Sequence, residues 1–396
     1  MRNITGSPVE HDDFFDRPDD VARLQRELAN SANLLLTAPR RVGKTSLVLR
    51  LCALEQKAKR HAVHINVEGC HDELAFVEKL VDSLNVAGLH PELMGRVALG
   101  IRKLRQQLTG VKVGVSGIDM EIGGAEDPDI STPARILESI FRKIEGSDKT
   151  LLLAIDEMPE LLIAMGRLEQ GAERVGRLLH LLRSLRQTYR TRVRWLFLGS
   201  IGLDSFVDDR NLRKTINDLT SVSLNALNIV EADAFLLRLA EGKTLLLTTA
   251  QRTHIIARVG WPLPHHLQLI FHALMDADVK QASDADIVRA FVELPKQHSQ
   301  FDTWRQRLDD QFEQSDVRAA QELLRHLCQH PNGRSRAQLL NTLMATRQST
   351  DALAVEAQLA KLLQVLQRDG YLLESKSRYA FRSFLLRDFW LAREVR

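Results

Sequence analysis

Apolar residues gather first into short unbroken runs and later only into helical spacing. The runs NLLLT (33–37), AVHINV (62–67), TLLLAI (150–155), VRWLFLG (193–199) and TSVSL (220–224) are rich in branched residues. Such runs predict strands buried within a sheet. Between them apolar positions recur at helical intervals, and DRPDDVARLQRELANS, opening on acids and a proline, predicts a helix ending near Asn30. Strands alternating with helices predict an α/β fold, a parallel sheet covered by helices. One stretch interrupts this order: VKVGVSGIDMEIGG (111–124) alternates on both sides of Ser116-Gly117, as a hairpin inserted between the second and third core strands would.

After about residue 225 the strand signal ends. EADAFLLRLAEG, TTAQRTHIIARVG, PHHLQLIFHALMDA and DADIVRAFVEL all carry helical spacing and predict an all-α segment. The last hundred residues supply three further helical patterns, then YLLES and RYAFRS around Lys376-Ser377, and a final helix. Three helices followed by a hairpin is the order of a winged helix-turn-helix domain. The expected organisation is therefore a core over 1–224, a helical domain over 225–300 and a winged helix over 301–396.

Composition changes this picture little. With 396 residues and 44% apolar content the chain can bury two or three ordinary cores. The N-terminus has acids where a signal peptide needs an apolar run, and no stretch has the length of a membrane span, so the expected compartment is the cytoplasm, without a membrane partner. Cys52, Cys70 and Cys328 are odd in number and widely spaced, which suggests neither a disulfide framework nor a zinc site. His64, His265 and His266 have no partners at metal-ligand spacing. A net charge of +3, from 54 basic and 51 acidic residues, neither demands nor excludes nucleic acid.

The chemistry lies in LLLTAPRRVGKTSLVLRL (34–51). Its core, Ala38-Pro39-Arg40-Arg41-Val42-Gly43-Lys44-Thr45, follows the phosphate-loop pattern of glycine, four residues and Gly-Lys-Thr, with alanine in place of the first glycine. Placed between a buried strand and an apolar helix, such a loop turns successive backbone N–H groups inward around a β-phosphate, and the helix adds its positive end. Lys44 would reach the β- and γ-phosphates, Thr45 would ligate Mg²⁺, and Ser46 would belong with the loop residues that bind the nucleotide. Hydrolysis further needs acids at a strand end, which TLLLAIDE supplies: Asp156 to hold the metal ion and Glu157 to polarise the attacking water. Ser200, after the fourth strand, stands where a polar residue could touch the γ-phosphate or the water; a serine that merely begins a turn fits the sequence equally well.

These stretches resemble the AAA+ superfamily, and within it the archaeal-type ATPases close to the STAND switch ATPases and the origin-recognition-type initiators. The residues that carry the resemblance are FFDRPDDVARL, APRRVGKTSL, the IDE box, GSIGL and GWPLPHHLQLI. It implies a P-loop AAA+ parallel core, an all-α lid, ATP or ADP with Mg²⁺ as ligands, and an adenine side lined by Phe15, Arg17, Gly260 and Pro262. The chain departs from the family at two points. Leu263, Pro264, His265 and His266 stand where many members carry a sensor arginine, and an arginine finger is represented only by Arg210 and Arg213 in the appropriate region. Hydrolysis by an isolated monomer is therefore expected to be slow.

The partner stays open at this level. Residues 301–396 hold 15 Lys/Arg and 12 Asp/Glu, a weak basic excess in which Arg334, Arg336, Lys376, Arg378 and Arg382 could meet the phosphates of double-stranded DNA. A winged helix used for a protein effector, for self-assembly or for closing over the nucleotide fits the same residues. The expected activity is that of an ATP-dependent switch linked to DNA or mobile-element processes, or alternatively of a weakly hydrolysing scaffold that regulates a protein. The arginines of GAERVGRLLHLLRSLRQTYRTRVR are expected on a solvated or subunit-contact face, opposite a stripe of Leu178, Leu179, Leu182 and Leu185.

Overall fold

The computed structural model describes residues 1–30, 32–109, 132–199, 202–277, 280–296, 301–347 and 351–394. The predicted hairpin at 111–124 and the candidate Ser200 lie outside the described residues. The chain divides into two compact units, one of residues 16–38 and 44–224 and the other of residues 1–15, 39–43 and 225–396.

The first unit is built on five strands, β1 (Asn33–Thr37), β2 (His61–Asn66), β3 (Leu151–Asp156), β4 (Val193–Leu198) and β5 (Leu219–Ser223). All pairings are parallel and the order is β2-β3-β4-β1-β5. Each strand matches its predicted run to within one residue at either end. β3 is buried at every position, as an inner strand covered on both faces must be. Helices α1 (Pro18–Ala29), α2 (Lys44–Lys57), α3 (Glu73–Val86), α4 (Pro91–Thr109), α5 (Pro133–Glu145), α6 (Met158–Gly166), α7 (Gly171–Thr188) and α8 (Leu203–Asp208) complete the unit.

The helices bury narrow stripes. In α5 these are Ile136, Leu137, Ile140, Phe141 and Ile144, one face at a 3.6-residue period behind a Thr132 cap. In α7, Leu178, Leu179, Leu182 and Leu185 are all buried, as expected. Its arginines are not uniformly solvated, however. Arg186 is only 2% exposed and its guanidinium forks onto Asp218, with Nε–Oδ2 and Nη2–Oδ1 both at 2.8 Å. The buried arginine is tolerated because a carboxylate matches its planar donors.

The second unit is helical, with α9 (Ile229–Ala240), α10 (Thr249–Val259), α11 (Pro264–Asp276), α12 (Asp284–Glu293), α13 (Asp302–Gln311), α14 (Gln314–Cys328), α15 (Arg336–Arg347), α16 (Ala352–Arg368) and α17 (Phe384–Glu394). Reciprocal capping boxes start three of them: Asn228 with Glu231, Thr248 with Gln251 and Ser283 with Asp286. Strands β6 (Arg334–Ser335), β7 (Leu372–Ser375) and β8 (Arg378–Phe381) form an antiparallel sheet in the order β6-β8-β7. β7 and β8 realise the predicted C-terminal hairpin, turned at Lys376 and Ser377 with both residues at positive φ. β6 has only two residues, too short to leave a pattern in the sequence. No helix among the described residues is long and apolar enough to cross a membrane.

Candidate functional site

In the sheet unit, β1 ends at Thr37 and α2 begins at Lys44. Lys44 is buried, and its Nζ donates to the Ala38 carbonyl at 3.1 Å, so the ammonium folds back onto the residue that follows β1. One residue on, Thr45 Oγ1 donates to Asp156 Oδ2 at 2.7 Å. Residues separated by 111 positions in sequence thus meet where the start of α2 comes beside the last residue of β3. Ser46 is buried in the first turn of α2.

Asp156 is 2% exposed and its carboxylate is held at both oxygens. Oδ1 accepts the Glu157 backbone N–H at 2.9 Å. Oδ2 accepts the Thr45 hydroxyl and lies 3.3 Å from His64 Nε2. Burial pushes the Asp156 carboxyl up, but the hydrogen bonds from His64 and Thr45, with the charges of His64 and Lys44, outweigh it and hold the group below its ordinary range. It is therefore an ionised carboxylate beside a hydroxyl. That hard-oxygen pair suits Mg²⁺, which takes one or two protein ligands and completes its octahedron with water and phosphate.

Glu157 follows in the left-handed region, at φ 60° and ψ 32°, as the N-cap of α6. A non-glycine residue there costs on the order of 1 kcal/mol or more, and such strain concentrates at functional sites. Arg17, the N-cap of α1, is buried, with Nε 2.8 Å from Asp20 Oδ2. Arg210 lies over the Phe206 ring at 3.9 Å and Arg213 pairs with Asp208 at 3.0 Å, so both finger candidates are engaged locally.

The other predicted residues belong to the helical unit. Within Pro39–Gly43, Arg41 and Gly43 have positive φ of 65° and 94°, and Val42 is buried. Burial lowers the Arg41 guanidinium. Pro39 and Trp261 lie against Gly370, where an added Cβ would come within 3.4 Å of Pro39 and 2.4 Å of the Trp261 ring. The Arg382 guanidinium sits 4.3 Å from the Trp261 ring centroid. Gly260 ends α10 at φ 75°, and the Pro262 carbonyl accepts the Leu227 N–H at 3.2 Å. Phe15 packs edge-on to Phe235 at 5.2 Å.

His265 and His266, in the first turn of α11, are buried, and burial lowers both, assisted by the Arg41 charge. Sequence reasoning did not identify His64 as part of the site. The register sets His64 beside Ala154, and side chains alternate along a strand, so His64 shares a face with Asp156 two residues further on. Only knowledge of the strand pairing could have revealed this.

The chain matches no protein-family model and no curated protein. Its structure is similar to that of a Walker-type ATPase of Pyrococcus abyssi, with a TM-score of 0.65 at 15% identity over 99% of this chain and 100% of that one. It is also similar to the ORC2 protein of Aeropyrum pernix in ADPNP–ADP complexes, with a TM-score of 0.57 at 14% identity over 98% of this chain and 96% of that one. The fold is accordingly the α/β fold of these two proteins, a five-stranded parallel core with a helical C-terminal region.

Proposed function

We propose that this chain is a cytoplasmic ATPase that binds Mg·ATP on its phosphate loop, hydrolyses it slowly when alone, and works as a nucleotide-controlled switch. The observation that carries the reading is the 2.7 Å contact between the Thr45 hydroxyl and the ionised Asp156, beside Lys44 at the start of α2. When bound, Mg²⁺ would supply charge neutralisation at the β- and γ-phosphate oxygens, and Thr45 and Asp156 are the residues to hold it. Lys44 would leave the Ala38 carbonyl for the phosphates. Backbone N–H groups of residues 39–43 would point at them, with Gly43 taking a positive φ that a side chain would disfavour. Glu157, next to Asp156, would orient the attacking water, and Ser200 would touch the γ-phosphate or that water.

In this reading the chain has three parts, a core over 1–224, a lid over 225–300 and a winged helix over 301–396, and nucleotide state sets what the winged helix does. Duplex DNA, in initiation, transposition or mobile-element defence, is the partner class that the winged helix suits. Self-assembly would supply in trans the arginine that Arg210 and Arg213, engaged locally, do not offer. The decisive measurement is ATP hydrolysis by wild type and by Glu157→Gln, each at low and high protein concentration, with and without duplex DNA. Turnover should rise with concentration or DNA and vanish in the variant, while both still bind nucleotide. Absence of turnover in every condition, with ADP tightly retained, would favour a second reading, a nucleotide-binding scaffold acting on a protein partner. That reading draws support from His265 and His266, buried where a sensor arginine is expected.

A further inference from the structure

His64 is not part of the phosphate loop, the acidic pair or the lid, yet its ring contacts the carboxylate on which metal binding depends. A carboxylate offers about four lone-pair directions. Among the described residues three are engaged: Glu157 N–H on Oδ1, and Thr45 Oγ1 and His64 Nε2 on Oδ2. Because an ionised carboxylate only accepts, Nε2 must carry the proton and donate. The His64 side chain is 15% exposed and that of Asp156 3%, so the contact is shielded from solvent and effective at fixing orientation.

We propose that His64 is a positioning residue for the metal site: its Nε2–H occupies the second lone pair of Asp156 Oδ2 and leaves one direction, on Oδ1, for a water of the metal shell. The carboxylate is thereby oriented before the cation arrives, instead of rotating to find it. A residue that supports a metal-binding group in this way typically contributes between tenfold and a hundredfold in metal affinity. Without His64, Thr45 alone would hold Oδ2, and a carboxylate buried to this degree would lose one of its three donors.

This inference rests on the nucleotide reading, and its test separates the two. The full chain, saturated with ADP, is titrated with Mn²⁺ as the probe for the Mg²⁺ site, and bound metal is read by electron paramagnetic resonance. ADP affinity in EDTA is measured in parallel by calorimetry. His64→Ala should weaken Mn²⁺ binding at least about tenfold while leaving metal-free ADP affinity unchanged, and His64→Gln, whose amide can donate to Asp156, should recover most of the loss. Unchanged Mn²⁺ affinity in His64→Ala, or a parallel loss of metal-free ADP binding, or no recovery in His64→Gln, would overturn the role of His64 and leave the nucleotide reading standing. A wild-type chain that binds no ADP would overturn both.

Discussion

At the scale of single residues, buried ionisable groups are where the chain spends stability on chemistry. Lys44 is held in place by the Ala38 carbonyl, a neutral acceptor that phosphate oxygens can replace. Lys44→Ala should therefore weaken ATP binding by about 2–3 kcal/mol, roughly a hundredfold, in a calorimetric titration, with little change in the unfolding midpoint. His266 makes a different statement. It is fully buried, with Nδ1 3.2 Å from the Ser383 hydroxyl, and burial, aided by the Arg41 charge, pushes its pKa down from 6.5 to about 4. Below pH 6.5 the unfolded chain takes up a proton that the folded chain refuses until about pH 4. Stability from this residue is therefore complete above pH 6.5 and falls as the pH drops towards 4, by about 3 kcal/mol. Burial drives His265 in the same direction, together with the charges of Arg41 and His266. Urea unfolding at a series of pH values should show this acid loss, and His266→Asn should reduce its slope between pH 6.5 and 4.

Elements differ in how much of their logic is visible locally. The five core strands were legible because each is a run of branched apolar residues buried within a parallel sheet, and the caps and stripes of the helices are equally local. Contacts made by topology were not legible. Nothing in the sequence pairs His64 with Asp156, Arg186 with Asp218, or Arg307 with Asp369, which lie 92, 32 and 62 positions apart. Of the candidate site, the residues joined by a short motif could be read, and the supporting histidine could not. The Arg307–Asp369 pair, linking α13 to the end of α16, shows what such a contact is worth. Both side chains are 2% exposed and meet at 3.1 Å, with Arg368 Nε on the other carboxylate oxygen. Asp369→Ala removes the carboxylate from a buried ion pair, and denaturation of the C-terminal elements should register a loss of about 3–5 kcal/mol. Asp208→Ala breaks a pair in the sheet unit that is more than half exposed on both sides, and denaturation of that unit should move by less than about 1 kcal/mol. Equal losses in the two variants would contradict this assignment of burial.

For the whole molecule, the charge arrangement bounds how strongly the proposed duplex partner would be held. A net charge of +3 on 396 residues gives no long-range field to draw in a polyanion, so affinity for duplex must come from a local patch. The basic residues that the sequence offers for such a patch are largely committed within the chain. Arg336 pairs with Glu356 at 2.6 Å, Lys361 with Asp316 at 2.9 Å, Arg334 with His330, and Arg382 with the Trp261 ring. Arg378 ties the hairpin to the Asn332 and Gly333 carbonyls but remains exposed and cationic, and Lys376 stands exposed at the turn between β7 and β8. A hairpin that presents two such cations would neutralise about two phosphates, which gives a slope of log affinity against log salt near −2. Fluorescence anisotropy on a short duplex should therefore show weak binding at low salt that fades with a shallow slope. Lys376→Ala should flatten that slope by about 0.9, since it removes one phosphate contact without touching a core. A slope steeper than about −5 would require a basic surface larger than this hairpin carries, and a flat isotherm at low salt would assign the C-terminal elements to a protein partner instead.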